Sequence, residues 1–148
     1  MPIHGRDCER RLALPRISKL IKVVASYPPA AVQDRAVIEA QDYEANVRRE
    51  IEILSRIRHP AVIAMVGWFE TEAAIWLVLE LGVGGDLQSL LAKRGSLDVV
   101  AARFYSAEIA LGLSVLHAHR VVYGDLKPEN VLLDQCGHIK LSDFGSAR

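Results

Sequence analysis

The chain has 148 residues, of which 51% are apolar and 24% are charged, and its 18 basic residues are balanced by 18 acidic ones. This length and composition suffice for one ordinary globular domain with a sizeable core, and they exclude a disordered chain. A net charge of zero gives no electrostatic reason to expect a nucleic acid or an anionic membrane as a partner.

The cysteines and the N-terminus bear on the cellular compartment. Cys8 and Cys136 are far apart and fit neither a disulfide framework nor a zinc-site spacing, so we predict reduced thiols of an intracellular protein. The N-terminus lacks the apolar core of a signal peptide, and the charge-free stretch 109–119 is too short to span a bilayer. We therefore expect a cytoplasmic or nuclear protein without a membrane span.

The first half of the chain predicts a small lobe of strands around one helix. Residues 17–25 (ISKLIKVVA) predict a strand, and residues 26–30 predict a loop because Pro-Pro cannot continue a ladder. Residues 33–57 have helical period. The apolar runs 61–69 and 74–81 predict two strands joined by a short polar turn.

The second half predicts a glycine-rich joint, two helices and a hairpin. GVGG (82–85) is expected to be a flexible joint, followed by a short helix with Asp86 near its start and Gly95 just past its end. A long helix follows, with Ser96 as its expected N-cap. After a polar loop, VLLD and HIKL predict a hairpin that turns at QCG. This order predicts an α+β fold in which a β-rich lobe precedes the beginning of a helical one.

Two charged residues fall on faces that the pattern predicts to be buried. Lys22 shares a strand face with Leu20 and Val24, where a lysine either reaches the surface or is buried with a partner. Glu50 falls inside a helical stripe, where a carboxylate is costly unless it is paired or the stripe is packed loosely enough to admit water. We expect Lys22 and Glu50 to pair. The stripe consists of Tyr43, Val47, Ile51, Leu54 and Ile57.

Polar residues concentrate in the segment VVYGDLKPEN (121–130), between apolar flanks. Such flanks predict short buried segments on both sides of a loop, so its polar groups are mounted rigidly. Asp143 follows the alternating strand HIKLS and precedes Phe-Gly. By itself, that triplet is equally consistent with a simple turn.

Taken together, these segments resemble the eukaryotic protein kinase domain over residues 17–148. YGDLKPEN (123–130) is similar to the catalytic loop of that family, and Asp143-Phe144-Gly145 is similar to its metal-binding triplet. Lys22 stands at the position of the ATP lysine and Glu50 at that of its helix partner. Lys127 is typical of the Ser/Thr type, and the segment from Tyr123 to the triplet resembles the AGC type.

The resemblance implies phosphorylation of Ser/Thr hydroxyls in protein substrates, with ATP and Mg²⁺. Asp125 would accept or orient the substrate hydroxyl, and Lys127 would steady the γ-phosphate. Asn130 and Asp143 would hold Mg²⁺, which prefers oxygen ligands. The hinge would lie at 79–82. The residues implied in ATP binding are Lys22, Glu50, Glu80, Leu81, Asp86 and Leu132.

The resemblance also implies boundaries and shows departures. Residues 1–148 would form a partial kinase domain, with an N-lobe at about 1–80, a hinge at 81–85 and the start of the C-lobe at 86–148. Gly124 replaces the arginine that usually receives the phosphate of the activation loop. The Gly-rich phosphate loop and the segments after the triplet are missing, so we expect a truncated kinase fold.

A second class of function stays open at this point. An inactive fragment or pseudokinase could act as a module that binds a nucleotide or a partner, and the missing segments favour this interpretation. The presence of Lys22, Asp125, Asn130 and Asp143 argues against it. A metal pair at His117 and His119 is disfavoured because helical residues two apart point in different directions.

Overall fold

The computed structural model describes residues 21–26, 34–71 and 74–148, and the side chains of 44–71 and 74–148. The order of strands, helix, helices and hairpin is the predicted one, and the α+β class is confirmed. The elements are β1 (Ile21–Ser26), α1 (Asp34–Arg56), β2 (Met65–Glu70), β3 (Ile75–Glu80), β4 (Gly85–Asp86), α2 (Leu87–Arg94), α3 (Val99–Ala118), a short 3-10 helix (Pro128–Asn130), β5 (Val131–Leu133) and β6 (Ile139–Leu141).

The first sheet has the strand order β1-β3-β2, with both pairings antiparallel. Its register places Lys22 opposite Leu79 on the central strand. β2 begins at Met65 rather than at residue 61 as predicted. Residues 61–63 instead form backbone hydrogen bonds with β6. The Ile63 N–H donates to the Leu141 carbonyl at 2.9 Å, and the Leu141 N–H donates to the Ala61 carbonyl at 2.9 Å. This segment therefore joins the two halves of the fold.

Helix α1 packs its apolar stripe into the core, as the helical period predicts. Of the stripe residues whose side chains are described, all are buried, and Ile53 is buried with them. The side chains of Tyr43 and Lys22, and the predicted loop at 26–30, lie outside the described residues. The buried stripe residues are Val47, Ile51, Leu54 and Ile57.

The glycine segment 82–85 is packed against the second sheet, whose strand order is β4-β5-β6. A Cβ on Gly84 would lie 2.8 Å from the Asp134 carbonyl oxygen and 2.8 Å from the Leu133 Cβ. The Gly84 N–H also donates to the Leu133 carbonyl at 2.9 Å. The prediction of a flexible joint is therefore corrected, since here glycine allows two backbones to approach closely.

Helices α2 and α3 are each capped by an aspartate. Asp86 accepts the Ser89 N–H at 2.6 Å, and Gly95 closes α2 with a φ of 76°, both as predicted. α3 is capped by Asp98, whose Oδ1 accepts the Ala101 N–H at 2.7 Å. The prediction of Ser96 as the N-cap is wrong. Serine and aspartate cap equally well, so cap preference alone does not decide between them.

Helix α3 crosses the back of the second sheet. A Cβ on Gly112 would lie 2.9 Å from Leu141 Cδ1, so glycine allows close packing there. Glu108 accepts the Ile139 N–H at 2.9 Å and lies 2.6 Å from Nδ1 of His138. Within the described part of the chain, α3 alone has the length and hydropathy to cross a membrane, a weak signal that core helices share. The absence of a membrane span stays a prediction.

Cys136 lies in the turn between β5 and β6, where its N–H donates to Asp134 Oδ1 at 2.7 Å. The expectation of reduced thiols stays a prediction, because it depends on Cys8 as well. Cys8 lies outside the described residues. The cytoplasmic or nuclear location stays a prediction.

Candidate active site

The loop from Tyr123 to Asn130 gathers three polar side chains. Lys127 Nζ donates to Asp125 Oδ2 at 2.7 Å, and Asn130 Nδ2 donates to the same oxygen at 3.1 Å. The hydrogen bond from Lys127 lowers the pKa of the Asp125 carboxyl and raises the pKa of Lys127. Asp125 is therefore a carboxylate at neutral pH and can accept a proton or a hydrogen bond.

Asn130 connects this loop to the strand that leads to Asp143. Its side chain is 7% exposed, and Nδ2 also donates to the Asp125 carbonyl at 3.0 Å. The donor side of the amide thus faces Asp125, which leaves Oδ1 as its acceptor for another group. The Asn130 carbonyl accepts the Ser142 N–H at 2.9 Å and the Ser142 hydroxyl at 3.0 Å. The loop and β6 therefore hold each other in place.

Tyr123 and Phe144 form the apolar support beneath these groups. Both are almost fully buried, and their rings meet edge to face with centroids 5.2 Å apart. The Tyr123 hydroxyl donates to the Ser142 carbonyl. Burial raises the pKa of Tyr123, and the carboxylates of Asp143 and Asp125 add to the rise. The phenol therefore stays protonated and acts as a donor.

Asp143 adopts a left-handed backbone conformation, with a φ of 60°. Aspartate enters this region more readily than most residues, and its Oδ1 accepts the Gly145 N–H at 3.4 Å. Past the turn, the Arg148 N–H donates to the Val122 carbonyl at 2.9 Å. These contacts bring the turn back beside the loop that carries Asp125.

Glu50 reaches the same turn from helix α1. Its Oε1 accepts the Phe144 N–H at 3.3 Å. Burial raises the pKa of the Glu50 carboxyl, the N–H of Phe144 opposes the rise, and the Asp143 carboxylate adds to it. No cationic side chain within the described residues forms an ion pair with Glu50. The pairing with Lys22 involves a side chain outside those residues and stays a prediction.

One cavity of about 420 Å³ brings five of the ten predicted site residues together. It lies between the first sheet, α1, the loop from Tyr123 to Asn130 and the Asp143 turn. Apolar side chains from β3, the α1–β2 connection and β5 line one part of it, and oxygen-bearing side chains line another. The predicted site residues along it are Glu50, Glu80, Asn130, Leu132 and Asp143, and Leu79 of the expected hinge lies there too. The lining that the sequence did not predict includes Asn46, Ile63, Leu77, Ser142 and Ser146.

The other predicted residues lie outside this lining. Asp125 and Lys127 are on the adjoining loop, and Leu81 is exposed. Asp86 caps α2 through Ser89, and these hydrogen bonds lower its pKa. Its predicted contact with ribose stays a prediction.

Two basic residues near the cavity were missed by the sequence analysis. Lys140 lies 2.9 Å from Glu80 Oε1 and donates to the Pro60 carbonyl at 3.0 Å. Arg49 donates to the Gly145 carbonyl at 3.0 Å. The available signals were a lysine inside the apolar strand HIKL and an arginine directly before Glu50. Neither pattern indicates which residue the side chain would contact.

The oxygen groups of Asn130 and Asp143 fit a magnesium ion better than a transition metal. An amide and a carboxylate line one cavity, and Mg²⁺ is usually held by one or two protein oxygens together with phosphates and water. The described residues contain no group of three or more His, Cys, Asp or Glu side chains that could hold a metal. A metal here would therefore need ligands from a bound phosphate.

The family model and the similar proteins all point to protein kinases. The family model "Protein kinase domain" matches residues 29–148. Similar proteins include the serine/threonine-protein kinase RUNKEL of Arabidopsis thaliana (44% identical over 69% of this chain and 8% of the relative). Human ribosomal protein S6 kinase alpha-1 is 41% identical over 79% of this chain and 16% of its own length. The cAMP-dependent protein kinase catalytic subunit of Arthrobotrys oligospora is 38% identical over 82% of this chain and 23% of its own length. The chain thus spans less than a quarter of each relative.

Proposed function

Because the chain belongs to the protein kinase domain family, we propose that the protein transfers the γ-phosphate of ATP to Ser/Thr hydroxyls of protein substrates. The observation that carries the proposal is the cavity of about 420 Å³ that joins Asn130 and Asp143 to an apolar floor. Apolar side chains suit a purine ring, and oxygen ligands suit a phosphate-bound cation. The relatives of Ser/Thr type support the choice of acceptor.

The residues divide the chemistry between them. The substrate oxygen forms a bond to the γ-phosphorus while the bond to the bridging oxygen of ADP breaks, and Asp125 takes the hydroxyl proton or orients it. Lys127, held at 2.7 Å from Asp125, provides positive charge beside the transferred group. Asn130 and Asp143 would hold Mg²⁺, which neutralises charge on the phosphates. Positioning and charge neutralisation account for most of the catalysis in this reaction class.

The remaining assignments concern the nucleotide. Leu132 contributes to the apolar part of the cavity, and the chain at Glu80 and Leu81 would meet adenine through backbone groups. The Glu80 side chain is engaged elsewhere, because Oε1 accepts the Ala64 N–H at 2.7 Å. Lys22 would bind the α- and β-phosphates, with Glu50 as its partner.

Magnesium-dependent binding tests the cavity. A fluorescent ATP analogue is titrated into the wild type, Asp143→Asn and Asp98→Asn, each with and without Mg²⁺. We expect Mg²⁺ to strengthen binding to the wild type and to Asp98→Asn, whose changed residue is the helix cap of α3. Asp143→Asn should lose that dependence. Equal affinity in all conditions would refute the metal assignment.

Phosphoryl transfer to a peptide tests the catalytic loop. Loss of a proton-transfer group costs about 100-fold or more in rate, so Asp125→Asn should bind the nucleotide normally but transfer phosphate far more slowly. Magnesium-dependent nucleotide binding without transfer by the wild type would favour the non-catalytic alternative.

A further inference from the structure

Arg49 contacts the Asp143 turn from helix α1. Its Nη1 donates both to the Gly145 carbonyl, at 3.0 Å, and to Asn46 Oδ1, at 2.9 Å. Asn46 lies one helical turn before Arg49 and on the same helix face. The guanidinium is therefore held in place before it reaches the turn, and both bonds are partly buried.

Glu50, the next residue of the helix, contacts the same turn as an acceptor rather than as a donor. Glu50 accepts the N–H of Phe144 at 3.3 Å, and Arg49 donates to the carbonyl of Gly145. Two adjacent helix residues thus bind a donor and an acceptor of two adjacent turn residues. Reversing either side chain's polarity would lose its bond, so the contact is specific for this arrangement.

The turn benefits from such support because Asp143 is in the left-handed region, with a φ of 60°. A residue in this conformation persists when the surrounding structure determines it. Among the hydrogen bonds of the described side chains, Arg49 makes the one arginine contact to residues 143–145. Gly124, next to Asp125, has no side chain that could provide a second one.

We propose that Arg49 is a positioning residue that holds the Asp143-Phe144-Gly145 turn against α1 and so sets the place of the Asp143 carboxylate. Arg49 acts through the turn and touches neither nucleotide nor metal. The inference rests on the proposed function, since it assigns Arg49 to the magnesium-dependent step of that function.

The test compares Arg49→Ala, Arg49→Lys and the wild-type protein. The matched control is Arg48→Ala, because Arg48 sits on the same helix and, among the described residues, bonds to Glu44 and Glu70 and not to the Asp143 turn. Two measurements are made: the Mg²⁺ concentration at half-maximal binding of the fluorescent ATP analogue, and hydrogen exchange at the amides of Phe144 and Gly145.

Loss of one charge-assisted hydrogen bond is expected to change each quantity by about ten- to a hundredfold. Arg49→Ala should need more Mg²⁺ and exchange faster at the turn. Arg49→Lys should recover part of both effects, because it keeps a charged donor, and Arg48→Ala should match the wild type. If Arg49→Ala does not fold, Arg49→Lys alone should show a smaller shift in the same direction.

Two outcomes overturn the proposal. If the Arg49 variants need the same Mg²⁺ concentration as the wild type, Arg49 only packs against the turn and does not set the place of Asp143. This holds even if hydrogen exchange at the turn increases. Equal effects of Arg48→Ala and Arg49→Ala would show that any arginine of α1 matters alike. If the wild type binds no nucleotide, the proposed function fails, and turn exchange alone then decides whether Arg49 holds the turn.

Discussion

At the scale of single residues, Gly124 explains why one family position carries no side chain here. Its φ is 82°, a conformation that costs other residues about 1–2 kcal/mol. A Cβ would also lie 2.8 Å from the Ser146 carbonyl oxygen, which is closer than real Cβ contacts come. The arginine that the family resemblance leads one to expect could not be added unless the backbone at Ser146 moved.

Gly124→Ala should therefore destabilise the fold by more than backbone strain alone. The matched control is Gly137→Ala, because Gly137 has a φ of 84° and open space around its Cβ position. We expect about 1 kcal/mol of lost unfolding free energy for Gly137→Ala and about 2–4 kcal/mol for Gly124→Ala, since a clash adds to the strain. Urea denaturation measures both. Equal losses would show that the Ser146 contact relaxes at no cost.

The partly buried carboxyl group of Glu50 should make the stability of the fold depend on pH. Burial raises its carboxyl pKa in the folded protein, so the folded state favours the neutral acid more than the unfolded chain does. Its contribution to stability is present below the ordinary carboxyl pKa and is lost as the pH rises through the raised value. Glu50→Gln stays neutral at every pH. Its stability relative to the wild type should therefore increase as the pH rises through this window.

Urea denaturation of both proteins at a series of pH values checks this, with Glu52→Gln as control. The Glu52 side chain lies on the same helix, is 67% exposed and pairs with Arg56, so Glu52→Gln should give no such trend. The opposite trend for Glu50→Gln would indicate a cation near the carboxylate and would support the predicted pair with Lys22.

At the scale of elements, Lys140 ties three segments together behind the cavity. Its ammonium group lies 2.9 Å from Glu80 at the end of β3, with side-chain exposures of 15% and 29%. It also donates to the Pro60 carbonyl in the connection from α1, at 3.0 Å. Because β6 leads directly to Asp143, this cluster connects the segment after β3 to the Asp143 turn.

Lys140→Met should leave the Glu80 carboxylate and the Pro60 carbonyl without their cation. We expect a loss of about 1–3 kcal/mol in unfolding free energy, since both groups are partly buried. Lys140→Met combined with Glu80→Gln should cost less than the sum of the two single changes. Arg56→Met, which removes an exposed pair, should cost less than about 1 kcal/mol. Additive costs at residues 80 and 140 would show that the pair is not coupled.

At the scale of the whole molecule, the two halves of the fold share one hydrophobic core and are joined by specific hydrogen bonds. Backbone bonds join residues 61–63 to β6, and Arg49 and Glu50 reach the Asp143 turn. Helix α3 packs on the sheet with Gly112 and Leu116, which are its buried residues. Its opposite face leaves large apolar side chains in water. These exposed residues are Val99, Val100, Phe104 and Leu111.

The purified chain 1–148 should therefore self-associate, because a contiguous apolar face on a helix favours a partner. Light scattering over a range of concentrations should show a rising mass for the wild type and a smaller rise for Val100→Glu with Leu111→Glu. Val66→Glu changes an exposed apolar residue of β2 and should behave as the wild type. A monomer at every concentration would contradict the prediction.

By itself, the sequence determined the features that depend on neighbouring residues. The buried stripe of α1, the caps at Asp86 and Gly95 and the hairpin after the polar loop follow from helical period, cap chemistry and alternation, which are local properties. The motif residues Asp125, Asn130 and Asp143 also stood out by their order and spacing. In the structure, Asn130 lies beside Asp125, and Asn130 and Asp143 line one cavity, while the roles of these residues stay predictions.

Only the tertiary structure decided which distant groups meet. Glu50 and Phe144 are 94 residues apart, and Arg49 and Gly145 are 96 apart, so no local pattern could pair them. The same applies to the close contact with Ser146 that leaves no room for a side chain at residue 124, since Ser146 comes from another segment. The structure likewise shows Asp98 rather than Ser96 as the cap of α3, a choice between two adequate cap residues that local sequence rules leave open.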